Sequence, residues 1–175
     1  VGVGDTPFGT EPGVAATHNF FEALYPWPAQ ITAVSDVPLP NFAQAFPAVR
    51  RVVADGLDLP FGNCEFDVAF SNAVVEHVGG REEQRRFVAE VCRVAPRVFL
   101  STPNRWFPVE THTLVPLVHW LPRPQADRAM SALRRENWAQ VALLGKRELL
   151  ELFPPGVATR VVESRITISV VAERR

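Results

Sequence analysis

The chain opens with Val1-Gly2-Val3-Gly4-Asp5-Thr6-Pro7-Phe8-Gly9, an apolar segment interrupted by glycines before any helix-forming run. Glycine adopts positive φ and lets a ligand approach the backbone, so Gly-x-Gly after a strand is typical of the turn that holds a ribose or phosphate in a doubly wound sheet. Two glycines are equally typical of an ordinary turn. Both interpretations stay open until the remaining chain is considered.

The composition limits the class of protein. The chain has 175 residues, 47% of them hydrophobic and 21% charged, with a net charge of -1. This is the balance of a single globular domain, and we predict one domain over residues 1–175. A near-neutral charge does not favour a nucleic-acid partner.

The two cysteines, Cys64 and Cys92, have no close cysteine or histidine at ligand spacing. We therefore predict no disulfide framework and no metal site, and we expect a cytoplasmic protein. No apolar run is long enough to span a bilayer, and no signal peptide is evident. Because residue 1 already lies within an apparent strand, we expect the chain to be truncated at its N-terminus.

Hydrophobic periodicity predicts alternating strands and helices. After the glycine turn we expect helices at 14–25, 41–46, 82–94 and 147–153, and strands at 30–35, 49–54, 64–70, 97–101, 158–162 and 166–172. Residues 71–78 are predicted to form a polar turn that becomes a helix. Alternation of this kind is typical of a parallel sheet, with the last two strands forming an antiparallel edge.

Residues 103–145 break the alternation, since they mix tryptophans with prolines and contain no evident strand. We predict a helical cap inserted over the active site. Trp106 and Phe107 are candidates for an apolar substrate wall, although cap aromatics are as readily explained as the cap's own small core. The excess of arginine in the cap favours either an anionic or lipid-linked acceptor or a simple solvated helix face.

Asp36 follows the predicted second strand, where an acidic side chain can accept hydrogen bonds from a ribose. Its other interpretation is a cap for the turn before Pro38. The position that carries the acidic residue in such a site could equally be the one that Ser35 occupies in this chain.

The order of these features resembles class I S-adenosylmethionine-dependent methyltransferases, and among them the small-molecule branch called type 11. The resemblance rests on the glycine turn, the acidic residue after the second strand, Asp55-Gly56-Leu57-Asp58-Leu59-Pro60-Phe61, and Ser71-Asn72-Ala73-Val74-Val75-Glu76-His77-Val78. It also includes the stretch 102–110 after the fifth strand, and it covers essentially the whole chain.

The resemblance implies an α/β fold, a doubly wound and mostly parallel seven-stranded sheet with helices on both faces and the last strand antiparallel. It implies S-adenosylmethionine as the cofactor and a small-molecule acceptor. Its cofactor-binding residues would be Gly2, Gly4, Asp36, Asp55, Gly56, Ser71 and Asn72, with Asp55 receiving the adenine amino group. Thr6 stands where the family carries a third glycine.

A sulfonium methyl group is already activated, so the protein has mainly to align the acceptor and exclude water. A general base helps when the acceptor must lose a proton, and imidazole titrates in the useful range. His112 is the first candidate and His77 the second. Each is also explained as a purely structural histidine.

Two alternatives remain from the sequence. One is a methyltransferase-like binding module without turnover, suggested by Thr6. The other is a nicotinamide-dependent oxidoreductase, which is disfavoured because Pro7 stands where its fingerprint requires a final glycine. Oligomeric state and acceptor identity are not predicted.

Overall fold

The computed structural model describes residues 1–5, 19–135, 138 and 141–174. The contacts within the chain divide it into two compact units, Val1–Pro60 and Phe61–Arg175. Thr6 and Pro7 of the glycine turn, and residues 14–18 of the helix predicted at 14–25, lie outside the described residues.

The first unit contains a parallel pair of strands, β1 (Thr32–Ser35) and β2 (Arg50–Val53), with Ser35 opposite Val53. The helices are α1 (Phe20–Leu24), a 3-10 turn (Pro28–Gln30) and α2 (Pro40–Ala45). Their apolar side chains close a small core whose buried members are Ile31, Ala33, Leu39, Phe42 and Val49. The sequence placed β1, α2 and β2 correctly to within two residues.

The opening segment attaches to this unit by hydrogen bonds. The Gly2 and Val3 amides donate to the Val34 carbonyl at 2.9 and 3.2 Å. The Asp5 carboxylate accepts the Phe42 amide of α2 at 2.9 Å and the Asn41 side-chain amide at 3.1 Å. An acidic side chain that accepts a first-turn amide stabilises the start of a helix.

The second unit contains a four-stranded sheet in the order β3 (Val68–Asn72), β4 (Arg97–Pro103), β6 (Thr167–Arg174), β5 (Val157–Glu163). β3 and β4 are parallel, whereas β6 is antiparallel to both β4 and β5. The predicted antiparallel last strand is therefore confirmed. Six strands are assigned in the described part of the chain, compared with the seven predicted.

Helix α3 (Arg81–Val94) is amphipathic, as its sequence predicts. Gln84, Phe87, Val88, Val91, Cys92 and Val94 are buried. Glu82 and Glu83 lie in its first turn, where negative charge complements the helix dipole. Burial raises the pKa of the Cys92 thiol to about 11, so it packs as a small apolar side chain.

Two sequence predictions around β3 are wrong. Cys64 is not in a strand, because it has a φ of 52° and its amide donates to the Arg93 carbonyl, as the Phe66 amide does to Val94 at the end of α3. Those amides satisfy carbonyls that the end of a helix leaves without intrahelical partners. The strand consequently begins at Val68.

The helix predicted to develop within residues 71–78 is also replaced by a turn. Ala73 has a φ of 54°, the His77 amide donates to the Val74 carbonyl, and Gly79 has a φ of 119°. Left-handed residues interrupt a right-handed helix, so α3 begins only at Arg81. Glu76 and His77 therefore lie on a turn after β3.

Residues 103–145 contain a 3-10 turn (Val118–Trp120) and α4 (Arg123–Ala132), followed by α5 (Lys146–Leu150). Val118, Ala126, Met130 and Trp138 form a local buried cluster. Trp138 thus belongs to a small core of this segment, whereas Trp106 is 65% exposed. None of the described helices is long and apolar enough to cross a membrane.

The packing of α5 can be tested with two leucines. Leu149 is fully buried and Leu133 is 54% exposed. We expect Leu149→Ala to lower the free energy of unfolding by about 2–5 kcal/mol, because it removes packed atoms and leaves a cavity. Leu133→Ala should change it by no more than about 0.5 kcal/mol. Urea denaturation followed by circular dichroism measures both, and equal losses would contradict the assigned burial.

Candidate functional site

The polar residues predicted to bind the cofactor in the first unit lie at one edge of its sheet. Asp36 follows β1 and Asp55 lies two residues after β2, and both are exposed. Because β1 and β2 are parallel, their carboxyl ends meet at the same edge. The Asp55 carboxylate accepts the Leu57 amide at 2.8 Å, which shapes the turn that carries Gly56.

Gly2 and Gly4 differ in whether the backbone conformation or the packing requires a glycine. Gly2 has a φ of 82°, a conformation that side chains other than glycine rarely adopt. A Cβ at Gly4 would meet no atom within 4 Å, so packing in the described structure does not require glycine there. Its carbonyl accepts the Asn19 side-chain amide at 2.8 Å. Ser35 is buried at the end of β1, and exposed Asp36 is the accessible acidic residue.

In the second unit, the end of β3 presents Ser71 and Asn72. Ser71 is fully buried, and its hydroxyl has no hydrogen-bond partner among the described residues. Asn72 is exposed, and its side-chain oxygen accepts the Ser101 hydroxyl of the neighbouring strand β4. That bond holds the Asn72 side chain at the carboxyl edge of this sheet.

The turn after β3 and the segment after β4 bring His77 and His112 together. Their Nε2 atoms are 3.1 Å apart and their rings meet edge to face, with centroids separated by 4.7 Å. His77 is exposed and His112 half-buried. The sequence selected both residues but did not predict their contact.

Glu110 holds His112 in place and was not selected from the sequence. Its carboxylate accepts the backbone amides of His112 and Thr113 at 3.0 and 2.7 Å, the Thr113 hydroxyl at 2.6 Å, and His112 Nδ1 at 2.7 Å. Burial acts to raise the pKa of Glu110, but the hydrogen bonds from His112 and Thr113 outweigh it and lower the pKa to about 2. The bond to Glu110 in turn raises the pKa of His112, although burial opposes that rise.

Glu76 is the second buried carboxylate of the site, and its environment is the opposite. It is fully buried, and burial raises its pKa to about 7, although a hydrogen bond from Thr102 and the nearby His112 oppose that rise. Oε2 accepts the Thr102 hydroxyl at 2.9 Å, whereas Oε1 lies 3.9 Å from His112 Nε2. Two carboxylates with divergent pKa values beside paired imidazoles mark a functional-site candidate.

The two predicted substrate-wall residues follow β4. The Trp106 ring lies beside Trp120, with centroids 6.4 Å apart, and a Cβ on Gly145 would come within 2.9 Å of Trp106 Nε1. Phe107 is half-buried, and its carbonyl lies 3.0 Å from His119 Nε2. Trp106 therefore presents an exposed aromatic face, while Phe107 lies partly within the fold.

The sequence of the chain is similar to one known protein family. Residues 13–97 match the family described as "Methyltransferase domain". No curated protein sequence matches the chain.

Solved structures with this fold are distant in sequence. The N-methyltransferase NodS from Bradyrhizobium japonicum, crystallised with S-adenosylhomocysteine, is 13% identical, with a TM-score of 0.59, over 89% of this chain and 72% of that chain. A SAM-dependent methyltransferase from Methanosarcina mazei is 15% identical, with a TM-score of 0.52, over 83% of this chain and 84% of that chain. The 1,6-didemethyltoxoflavin-N1-methyltransferase of Burkholderia thailandensis, with 1,6-didemethyltoxoflavin and S-adenosylhomocysteine bound, is 19% identical, with a TM-score of 0.51, over 83% and 61%.

The fold is thus that of the Rossmann-like methyltransferases. Together with the family match over residues 13–97, it shows that the chain is similar to S-adenosylmethionine-dependent methyltransferases. The resemblance seen in the sequence is confirmed. The individual cofactor and substrate residues stay predictions.

The contribution of Glu110 to stability can be measured directly. Glu110→Gln replaces a carboxylate oxygen by an amide that cannot accept the same donors, so we expect the free energy of unfolding at pH 7 to fall by about 3 kcal/mol. Glu173→Gln is the control, because Glu173 pairs with Arg97 at 3.5 Å on the surface, where both side chains are 65% exposed. It should cost no more than about 1 kcal/mol. Equal urea midpoints for wild type and Glu110→Gln would contradict the hydrogen-bonding role.

Proposed function

We propose that the chain transfers the methyl group of S-adenosylmethionine to a small-molecule acceptor by in-line displacement. The observation that carries the proposal is the match of residues 13–97 to the methyltransferase domain family. The 1,6-didemethyltoxoflavin-N1-methyltransferase named above has the same fold and binds 1,6-didemethyltoxoflavin together with S-adenosylhomocysteine, which supports a small acceptor for this chain. An acceptor that is anionic or lipid-linked, and a cytoplasmic location, stay predictions.

For the cofactor we propose the residues at the carboxyl ends of the strands: Gly2, Gly4, Asp36, Asp55, Gly56, Ser71 and Asn72. In the first unit, Asp36 and Asp55 are exposed at one edge, as hydrogen-bond acceptors for hydroxyl and amino groups need to be. In the second unit, Asn72 is exposed at the corresponding end of β3. The seventh strand of the sheet is proposed at the opening segment, where Gly2 and Val3 donate to Val34 beside β1.

In the transfer, a lone pair of the acceptor forms a bond to the methyl carbon as the carbon–sulfur bond breaks, and that electron pair stays on sulfur. The protein's contribution is alignment and exclusion of water. Trp106 is a proposed apolar contact for the acceptor, because its ring is exposed yet held against Gly145 and Trp120. His112 as general base, with His77 second, stays a prediction: the Nε2 atom that would take the proton faces His77.

Cofactor binding is tested by calorimetric titration with S-adenosylhomocysteine. Asp55→Asn keeps an oxygen for the Leu57 amide but removes the charged acceptor proposed for the adenine amino group. We expect about 10- to 100-fold weaker binding, the value of a hydrogen bond to a charged group. Asp67→Asn is the control, since Asp67 is exposed and precedes the amino end of β3.

Absence of binding by the wild-type chain would overturn the proposed cofactor site, and equal affinity for Asp55→Asn would remove Asp55 from it. The acceptor class is tested separately, by incubating the protein with labelled S-adenosylmethionine and a cell extract divided by molecular size. Label is expected in the small-molecule fraction. Label confined to macromolecules would contradict a small acceptor, and cofactor binding without any transfer would favour a binding module.

A further inference from the structure

Three potential metal-ligand atoms converge within the second unit. Glu76, His77 and His112 each offer one ligand atom, a carboxylate oxygen or a ring nitrogen, and these three atoms all lie within 4.8 Å of one another. The two nitrogens are 3.1 Å apart, and the carboxylate oxygen is 3.9 Å from His112 Nε2. Metal–ligand bonds of about 2.0–2.2 Å place neighbouring ligand atoms about 3–3.6 Å apart, so the distance between the two nitrogens fits a coordinated ion and the distance from Glu76 to His112 slightly exceeds that range.

Glu76 Oε1 provides a second, independent observation. Glu76 has no exposed surface, and Oε1 has no hydrogen-bond partner among the described residues. A buried polar atom without a partner costs about 1–3 kcal/mol, and such atoms require an explanation. A cation beside His112 Nε2 would satisfy this oxygen.

The surrounding hydrogen bonds orient the ligand atoms. Glu110 lies 2.7 Å from His112 Nδ1, and a carboxylate there favours the tautomer with hydrogen on Nδ1 and a lone pair on Nε2. The Thr102 hydroxyl donates to Glu76 Oε2 at 2.9 Å, which directs Oε1 towards the histidines. Carboxylates and hydroxyls that orient first ligands in this way accompany metal-binding histidines and carboxylates.

We propose that Glu76, His77 and His112 bind one divalent transition-metal ion, with Zn²⁺ as the reference ion. Two imidazoles and one carboxylate suit Zn²⁺ and its first-row neighbours, whereas Mg²⁺ and Ca²⁺ prefer oxygen ligands. Three protein ligands leave at least one coordination position open, as in catalytic zinc sites. Coordination would require the wider separations to shorten, for which rotation of the exposed His77 ring is available.

The site has a consequence for the acceptor that rests on the proposed function. An oxygen atom of the acceptor would occupy the open position, and a metal lowers the pKa of a bound hydroxyl so that its proton passes to solvent. The acceptor class is then a molecule with a hydroxyl group near the methylated position. In that state His112 Nε2 is a metal ligand and does not act as general base.

The experiment is a titration of the metal-free protein with Zn²⁺ by calorimetry, and with Co²⁺ by its visible absorption. We expect one ion per chain, reversible with a chelator. His77→Ala and Glu76→Gln, which alter proposed ligands, should weaken binding at least about 100-fold, and Thr102→Val, which removes an orienting hydroxyl, about 10- to 100-fold. His119→Gln is the control, because His119 lies against the Phe107 carbonyl at 3.0 Å and outside the cluster.

Binding that is absent, or that is unchanged in both His77→Ala and Glu76→Gln, would overturn the metal site. Circular dichroism of each variant checks folding, and exposed His77 offers a substitution with little packing to lose. The titration contains no S-adenosyl compound. Metal binding without S-adenosylhomocysteine binding would therefore retain this site and count against the proposed function, and the reverse result would do the opposite.

Discussion

Strand β4 links the second unit's sheet to its candidate site. It is hydrogen-bonded to β3 on one side and, over all seven residues, to β6 on the other. Its interior residues Val98 and Leu100 are buried, and the next inward position in the strand is the buried Thr102. Since Thr102 donates to Glu76, the pairing of β4 determines where a buried carboxylate can be held after β3.

Most of the fold could be predicted from the sequence because its elements have strong periodic patterns. Helix α3 shows the spacing of Phe87, Val88 and Val91 on one face, and β6 alternates Ile168, Val170 and Ala172 inward. These patterns depend on local spacing and one buried face, which a sequence displays directly. The family resemblance added the cofactor, which periodicity alone does not supply.

The failures near β3 have a different origin. Residues 64–66 contain apolar side chains of suitable size for a strand, but the Cys64 and Phe66 amides donate to carbonyls at the end of α3, nearly 30 residues later. Ala73 adopts a left-handed conformation, which could not be predicted from the presence of an alanine. Both outcomes are set by contacts distant in sequence, so tertiary structure overrides local propensity there.

The sequence predicted only part of the candidate site, because the site also depends on contacts between residues distant in the chain. His77 and His112 were selected as isolated imidazoles, yet 35 positions separate them in the chain and their 3.1 Å contact depends on how the segments after β3 and β4 fold. Glu76 directly precedes His77 in the sequence, and Glu110 lies two residues before His112. What distinguishes them is environment: Glu110 accepts four hydrogen bonds, whereas one oxygen of Glu76 has no partner in the described structure. Glu110 therefore positions His112, whereas Glu76 leaves one carboxylate oxygen without a partner among the described residues. No local sequence pattern contains this difference, which determines the chemistry available to the two histidines.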